Sequence, residues 1–254
     1  MDNYEIPLER KNYTLVMKGG GIKGLAYLGA LEELENFYSF NSFAGTSAGA
    51  ISAVLLAAGY STTELKKELG NKNFSDFKDA GYFRMFWNLL SKKGFYEALS
   101  FKIWLQKLLA HKLDLNRDVK LKDLPYRAIV YATKRGQNAL IFDSNIPETN
   151  TMGAAFAARC SMAIPFIFTP ERNEGLYVFD GGVRNNYPVE VLLQHNPDIK
   201  FIGLYLGDEI FQGDKKRSII SELFSIWAES TDEEALARYT NETIVIDPKP
   251  ITTL

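Results

Sequence analysis

The apolar positions near the start of the chain predict a doubled strand–turn–helix unit. An apolar run at residues 13–17 leads into a glycine-rich segment, residues 18–24, and a helical pattern with leucines on one side follows. A second apolar run, residues 40–44, meets another glycine-rich segment, residues 45–49, which an alanine-rich helical pattern follows. Two such units side by side bring both glycine-rich turns to one edge of a parallel sheet. We expect the chain to be organised around residues 13–59.

Short apolar runs alternate with helical patterns through much of the remaining chain. The predicted strands are residues 127–133, 139–142, 176–179, 199–206 and 243–246. The predicted helices are residues 62–69, residues 151–162, a helix opened by Pro188, and residues 219–239. The first two of these strands are separated by a loop that contains Gly136, a spacing that suits a hairpin. The pattern predicts one domain over residues 1–254, a three-layer α/β/α sandwich around a mostly parallel sheet.

Residues 74–113 interrupt this alternation with a segment that is dense in aromatic and aliphatic side chains. Lysines are interspersed, and Trp87 and Trp104 lie within its richest part, Phe83 to Leu109. We expect helices that pack outside the main sheet as a lid or insertion. Apolar side chains mixed with lysines are typical of helices that lie at a bilayer surface. Buried aromatic helices packed on the sheet would give the same pattern, so both interpretations stay open.

Composition and charge narrow the class of protein. The chain of 254 residues is 46% apolar and 24% charged, as expected for a globular protein with a sizeable core. Its formal net charge of −2 argues against nucleic acid as a partner, because phosphate binding needs a basic surplus. The first residues show no signal-peptide pattern, and no stretch reaches the roughly eighteen apolar residues of a membrane span, so we expect a cytoplasmic protein with peripheral membrane contact. The single cysteine, Cys160, excludes an internal disulfide and is typical of a small buried apolar side chain.

Residues 45–49 read Gly-Thr-Ser-Ala-Gly and carry the candidate nucleophile, Ser47. A G-x-S-x-G sequence between a strand and a helix is typical of a sharp turn that lifts the serine hydroxyl out of the sheet. The flanking glycines remove the Cβ atoms that would clash in such a turn. The helix behind points the positive end of its dipole toward the serine and any anion formed on it. A glycine-rich turn with a buried, capping serine is the alternative.

The earlier glycine-rich segment, Gly19 to Gly24, allows three interpretations. As G-x-G-x-x-G it matches a dinucleotide-binding turn, but that site needs an acidic residue about twenty positions later, where the chain has none. A P-loop needs Ser or Thr after its lysine, whereas Lys23 is followed by glycine. The third interpretation is an oxyanion hole, in which the N–H groups of Gly20 and Gly21 stabilise a tetrahedral intermediate. Lys23 would then hold the loop or lie near an anionic substrate.

A nucleophilic serine needs a base, for which the candidates are Asp180 and two histidines. Asp180 ends an apolar strand at the edge where the two glycine-rich turns converge, and burial there would raise its pKa and make it a usable base. A capping role in a turn is the alternative for this residue. His195 completes the chain order Ser, Asp, His that α/β-hydrolases use, although it ends a helix at the opposite edge of a parallel sheet. His111 falls in the predicted lid and is more typical of a partly exposed helix end.

Three segments, in this order, together resemble the patatin-like phospholipase family. They are Gly19-Gly20-Gly21-Ile22-Lys23-Gly24, Gly45-Thr46-Ser47-Ala48-Gly49 and Asp180-Gly181-Gly182. Two further segments support the resemblance, namely residues 158–165, Ala-Arg-Cys-Ser-Met-Ala-Ile-Pro, and residues 185–188, Asn-Asn-Tyr-Pro. The similarity extends from about Leu15 to Asp247. Lys18 departs from the family pattern, which more often has a small residue there.

The resemblance implies a hydrolase with a Ser–Asp dyad that cleaves acyl esters of membrane phospholipids, of the phospholipase A or lysophospholipase type. Carried over by position, Ser47 is the nucleophile, Asp180 is the proton acceptor, and residues 19–21 with Lys23 and Gly24 form the oxyanion hole. The resemblance implies no metal or other cofactor, and it is compatible with activation by a partner or second messenger. Two alternatives stay open. One is a carboxylesterase with a triad of Ser47, Asp180 and His195, and the other is a phosphate- or dinucleotide-binding module built on residues 19–24.

Overall fold

An open, mostly parallel sheet forms the centre of the structure. The computed structural model describes residues 12–70, 94–136, 139–207 and 232–247. The strands in these residues are β1 (Asn12–Met17), β2 (Ser39–Thr46), β3 (Gly94–Tyr96), β4 (Arg127–Lys134), β5 (Leu140–Asp143), β6 (Phe166–Phe168), β7 (Glu171–Asn173), β8 (Leu176–Asp180), β9 (Phe201–Leu206) and β10 (Thr243–Ile246). The main sheet has the order β10-β9-β1-β2-β4-β8-β7, and β5 also pairs with β4. Strands β10, β9, β1, β2 and β4 are parallel to their neighbours in this order.

Helices cover both faces of this sheet. They are α1 (Tyr27–Leu34), α2 (Ala48–Ala57), α3 (Thr62–Gly70), α4 (Leu99–Lys112), α5 (Pro147–Asn150), α6 (Ala154–Ser161), α7 (Val189–His195) and α8 (residues 232–238). Side chains alternate between the faces of a strand. Accordingly, Leu15 and Met17 pack with buried residues of α1, α2, α4 and α6, whereas Val16 packs with buried residues of α7 and α8. The three-layer α/β/α prediction is therefore confirmed.

Strand β8 is antiparallel to β4, and its last residue lies at the edge of the sheet where β2 ends. Strand β4 extends beyond β2, because Thr46, the last residue of β2, pairs with Tyr131 while β4 continues to Lys134. Strand β8 runs back along this extension and ends with Asp180 opposite Ala132. Ser47 follows Thr46 and so reaches the level of Ala132 on the other side of β4. The register therefore sets Ser47 and Asp180 at one level of the sheet.

Most of the predicted elements are present. Strands β4 and β5 form the predicted antiparallel hairpin, and β10 has the predicted bounds. The predicted helix at 151–162 begins only at Ala154, because Gly153 is extended and bridges to Lys120. Strands β3 and β7 were not predicted, since three residues give no readable alternation. Of the predicted helix at 219–239, residues 219–231 lie outside the described residues, and 232–238 are helical.

The predicted lid is described only from Gly94 onward, so Trp87 and the first of its aromatic residues lie outside the described residues. Its main element, α4, is helical as predicted and buries Phe101, Leu105 and Leu109 in the core. On another face, Leu99 and Ile103 are 54% and 47% exposed. The helix therefore has both a core face and an exposed apolar face. Among the described residues, no helix is long and apolar enough to cross a bilayer.

Candidate active site

Ser47 lies on a sharp turn between β2 and α2. Its φ and ψ angles are 53° and −117°, in the left-handed region that side chains other than glycine rarely adopt. The turn is possible because a Cβ at Gly45 would overlap the backbone of Gly49, and a Cβ at Gly49 would overlap the carbonyl group of Met17. The predicted turn at Ser47 is thus present, and 8% of the serine surface is exposed.

The glycine-rich segment after β1 lies directly beside this turn. Gly19 donates its N–H to the Asn186 carbonyl oxygen at 2.9 Å, and a Cβ at Gly19 would lie 3.2 Å from the Ser47 Cβ. Gly20 packs against the Leu206 side chain, where a Cβ would overlap. Gly21 has a φ of 55° and begins a 3₁₀ helix, whose first N–H groups have no partner inside the helix. The Gly19 N–H is thus already bonded to Asn186, so the N–H groups of Gly20 and Gly21 are the candidate oxyanion donors beside Ser47.

Lys23 and Gly24 continue this segment toward the start of α2. Both belong to the 3₁₀ helix Gly21–Ala26, and the Lys23 N–H donates to the Gly20 carbonyl oxygen at 3.2 Å. A Cβ at Gly24 would lie 2.8 Å from the Ala48 Cβ, so this glycine allows the 3₁₀ helix to pack on the first turn of α2. Their observed contacts stabilise the loop and its position against α2.

Asp180 lies at the end of β8, in a turn that packs closely on the sheet. A Cβ at Gly181 would overlap the Tyr131 carbonyl oxygen, so the backbone after Asp180 passes directly over β4. The Thr46 hydroxyl donates to the Asn185 carbonyl oxygen at 2.9 Å, which fixes the segment after Asp180 to the end of β2. The predicted convergence of the Asp180 turn with the Ser47 turn is therefore observed.

The Asp180 carboxylate is 1% exposed, and its environment changes its protonation. Its Oδ1 accepts the Gly182 N–H at 2.7 Å, while Oδ2 has no hydrogen-bond partner among the described residues. Burial raises the pKa of Asp180 to about 7, although the Gly182 N–H and the nearby Ser47 hydroxyl favour the charged form. The serine hydroxyl thus lies close enough to influence the carboxylate, short of a formed hydrogen bond. Hydrogen bonds of this kind often tighten only when substrate is bound.

Neither histidine reaches this site. The Nδ1 of His195 lies 2.9 Å from the Val191 carbonyl oxygen, at the end of α7. The next residue, Asn196, accepts a hydrogen bond from Arg127, the first residue of β4. Ser47 is level with Ala132, five residues further along β4, so about 16 Å of strand separate the two edges. His111 is exposed in the last turn of α4.

The described residues also hold no cluster of three or more His, Cys, Asp or Glu side chains that could bind a metal ion. The cluster at the sheet edge is a hydroxyl group, a carboxylate with a raised pKa, and a row of backbone N–H groups. These groups can supply a nucleophile, a base and stabilisation of an oxyanion, which acyl transfer requires.

A comparison with known protein families identifies the family of this chain. The family model for patatin-like phospholipase matches residues 15–193. The chain belongs to the patatin-like phospholipase family. An uncharacterized protein of Acanthamoeba polyphaga mimivirus is 30% identical over 180 residues, which are 69% of this chain and 60% of that protein. A probable lipid hydrolase of Invertebrate iridescent virus 6 is 26% identical over 216 residues, which are 76% of this chain and 68% of that protein.

Two solved structures share the patatin-like fold at low identity. VipD from Legionella pneumophila is 19% identical with a TM-score of 0.52, over 90% of this chain and 54% of that chain. ExoU from Pseudomonas aeruginosa, solved in complex with SpcU, is 19% identical with a TM-score of 0.54, over 94% of this chain and 49% of that chain. The chain thus spans 60% of the mimivirus relative and about half of each solved chain.

One segment of this chain connects the two candidate catalytic turns. The Ser47 N–H donates to the Ser161 Oγ at 2.9 Å, and the Ser161 hydroxyl donates to the Tyr131 carbonyl oxygen at 2.5 Å. Two residues later, the Ala163 carbonyl oxygen accepts the Asp180 N–H at 2.9 Å. The segment after α6 therefore holds the nucleophile turn and the base turn at once. This role of Ser161 was not predicted from the sequence, in which residues 158–165 support only the family resemblance.

We predict that Ser161→Ala lowers both the stability of this protein and any ester hydrolysis that it catalyses. The change leaves the buried N–H of Ser47 without an acceptor, which costs about 1–3 kcal/mol of unfolding free energy. Urea unfolding and the hydrolysis rate of the folded variant measure the two effects. Ser52→Ala is the matched control, because among the described residues the Ser52 hydroxyl bonds within α2 alone, to the Ala48 carbonyl oxygen at 3.3 Å. Equal behaviour of the two variants would contradict the role given to Ser161.

Proposed function

We propose that this protein hydrolyses acyl ester bonds of membrane phospholipids, as a phospholipase A or lysophospholipase, through a dyad of Ser47 and Asp180. The observation that carries the proposal is the buried Asp180 carboxylate at the level of the left-handed Ser47 turn. Family membership supports lipid hydrolysis. The similarity to a probable lipid hydrolase of Invertebrate iridescent virus 6 adds support of the same kind.

The reaction begins with a proton transfer from Ser47 to Asp180. The Ser47 oxygen attacks the ester carbonyl carbon while its proton passes to the Asp180 carboxylate. The negative charge that forms on the carbonyl oxygen is stabilised by the N–H groups of Gly20 and Gly21. Collapse of this intermediate releases the alcohol part of the lipid, which takes the proton from Asp180, and leaves the acyl group on Ser47. A water molecule then gives a proton to Asp180 and attacks the acyl-enzyme carbonyl carbon. The bond to Ser47 breaks, the fatty acid leaves, and Asp180 returns the proton to the Ser47 oxygen.

Burial makes the Asp180 carboxylate a stronger base than an exposed one. An exposed aspartate has a pKa near 3.9 and accepts protons poorly at neutral pH. With its pKa raised to about 7 by burial, Asp180 is largely ionised above neutral pH and still binds a proton well. A base whose pKa lies near the working pH is the efficient choice for proton transfer. This property supports a dyad that needs no histidine.

We predict that Ser47→Ala and Asp180→Asn abolish ester hydrolysis to a similar extent. Each change removes one member of a pair that acts as a unit, so we expect losses of several orders of magnitude in kcat/KM. His195→Ala is the control, since its ring bonds to the Val191 carbonyl oxygen at the other edge of the sheet. The measurement is hydrolysis of mixed phospholipid vesicles, with identification of the released fatty acids and lysolipids. A loss in His195→Ala that matches the loss in Ser47→Ala would favour the triad alternative instead.

We also predict that hydrolytic activity rises, and that the free energy of unfolding falls, as the pH increases towards about 7. Activity should rise with pH through about 7, because only the ionised Asp180 accepts a proton. The pKa in the folded protein lies above the unfolded value of about 3.9, so the folded state holds the proton more tightly and loses stability as pH rises from about 4 to 7. Asp180→Asn should therefore be more stable than the wild type by about 1–3 kcal/mol at pH 8 and nearly equal to it at pH 4. Denaturant unfolding at both pH values measures this difference, and a gain of equal size at both would contradict the assignment.

The exposed face of α4 supports the proposed contact with membranes. Leu99 and Ile103 are one helical turn apart, and each is about half exposed. We predict that replacing both by serine lowers phospholipid vesicle hydrolysis about tenfold, because apolar area no longer enters the bilayer, and leaves a soluble short-chain ester unaffected. Phe37→Ser is the control, since Phe37 is 59% exposed and lies outside α4. Parallel losses on vesicles and soluble ester, with a lower melting temperature, would instead indicate a role in the core.

The remaining alternatives have less support. The dinucleotide-binding interpretation of residues 19–24 competes with a family match that includes this segment. The triad with His195 requires a side chain that lies at the other edge of the sheet. Activation by a partner stays a prediction. A similar chain, ExoU, is known in a heterodimeric complex with SpcU, and binding of an activator to this protein would be tested by the stimulation of vesicle hydrolysis.

A further inference from the structure

Asp232 lies at the meeting point of the two loops that form the proposed active site. It is 1% exposed and belongs to the first turn of α8. Its Oδ1 accepts the Tyr187 N–H at 2.9 Å, and its Oδ2 accepts the Asn186 side-chain amide at 3.2 Å. The same Oδ2 lies 3.6 Å from the Nζ of Lys18. One carboxylate thus contacts residues from both sides of the site.

Lys18 connects Asp232 to the proposed oxyanion loop. It is 3% exposed, follows β1 directly and immediately precedes Gly19. Its Nζ donates to the Leu206 carbonyl oxygen at 3.3 Å and lies 4.1 Å from the centre of the Tyr205 ring. Its backbone N–H donates to the Leu204 carbonyl oxygen at 3.1 Å. The Lys18 ammonium group is therefore enclosed at the end of β9. The glycine-rich segment starts at the next residue, Gly19.

Asn186 and Tyr187 connect Asp232 to the other loop. Both follow the turn that begins at Asp180, and the Asn186 carbonyl oxygen accepts the Gly19 N–H at 2.9 Å. A Cβ at Gly19 would overlap the Asn186 Oδ1, so the two loops are in direct contact. The Asp232 carboxylate holds this contact from behind, through the side chain of Asn186 and the backbone of Tyr187.

A buried ion pair in this position is better suited to fixing geometry than to adding stability. Taking both charges out of water costs nearly as much as their attraction returns, whereas removal of one partner leaves a buried charge without compensation. Burial raises the pKa of Asp232 to about 6, while Lys18 and the two hydrogen bonds favour its charged form. The pair is therefore formed above neutral pH, where Asp180 is also ionised.

We propose that Lys18 and Asp232 are positioning residues that fix the Gly19–Gly21 loop against the loop after Asp180. The inference rests on the proposed function for its kinetic consequences, because the oxyanion donors must be aligned with the oxygen that becomes charged. The structural consequence is that the positions of both loops depend on the Asp232 carboxylate of α8. This consequence rests on the contacts alone.

The kinetic test compares Asp232→Asn and Lys18→Met with the wild type. Both changes nearly preserve side-chain volume and remove one charge. With p-nitrophenyl butyrate as the soluble ester, we expect kcat to fall at least tenfold while KM changes less than twofold, because oxyanion donors act mainly in the transition state. The affinity for phenylboronic acid, which forms a tetrahedral adduct on a nucleophilic serine, should fall by a similar factor. A lower melting temperature with unchanged kcat in the folded protein would overturn the proposal.

The control removes a different contact of α8. Arg238 joins this helix to Glu190 of α7 at 2.9 Å on the exposed side, and it also contacts Glu234 at 2.6 Å. Arg238→Met should therefore leave kcat and the boronate affinity unchanged. If either single charge change prevents folding, the double variant Lys18→Met with Asp232→Asn removes both buried charges. A double variant with wild-type kcat would overturn the proposal, and one that folds with a reduced kcat supports it.

A measurement that needs no activity separates this inference from the proposed function. Hydrogen–deuterium exchange in Asp232→Asn should accelerate at least fivefold in peptides covering residues 18–24 and 181–188, and should match the wild type in the Arg238→Met control. If the wild type hydrolyses no ester and faster exchange is still seen in both loops, the proposed function fails and the positioning role is supported. Unchanged exchange in either loop overturns the positioning role, whatever the activity.

Discussion

The close approach of backbone to backbone where α2 crosses the end of β1 is the constraint on which the site depends. Gly49 in α2 lies against the Met17 carbonyl group, and no side chain fits between them. Gly45 is packed in the same way against the backbone of Gly49. Only this spacing lets the Ser47 turn rise next to the loop that follows β1. A larger residue at either glycine would move the turn away from the loop, so these glycines serve the geometry of two catalytic turns at once.

The second constraint is a conflict between stability and chemistry at Asp180. A buried carboxylate without a full set of partners is unfavourable for the folded state, and its Oδ2 has no hydrogen-bond partner among the described residues. Burial of the carboxylate raises its pKa to about 7, which is in the range where a base works at neutral pH. The surrounding contacts keep the turn in place despite this cost. They include the Thr46 hydroxyl on Asn185 and the Ala163 carbonyl oxygen on the Asp180 N–H.

The sequence predicted the parts of the site that local pattern encodes. The two glycine-rich turns, the nucleophile turn at Ser47 and the position of Asp180 at a strand end follow from short motifs between apolar runs. The antiparallel direction of β8 does not, because strand direction depends on pairing with β4 and not on the residues of β8 itself. The contacts of Ser161 and Asp232 could not be predicted from the sequence either. Ser161 is 114 positions from Ser47 and Asp232 is 46 from Asn186, and no periodicity links residues so far apart.

In the proposed dyad, the strength of the base depends on the packing of the fold around it. A histidine has a pKa near 6.5 in water and can serve as a base wherever it is placed. An aspartate reaches the same range only through desolvation, which here comes from the turn over β4, where a Cβ at Gly181 would overlap the Tyr131 carbonyl oxygen. Any motion that admits water to the Asp180 carboxylate lowers its pKa and weakens it as a base. The contacts that hold the loops together, from α6 through Ser161 and from α8 through Asp232, therefore bear on the proposed chemistry as well as on the geometry of the site.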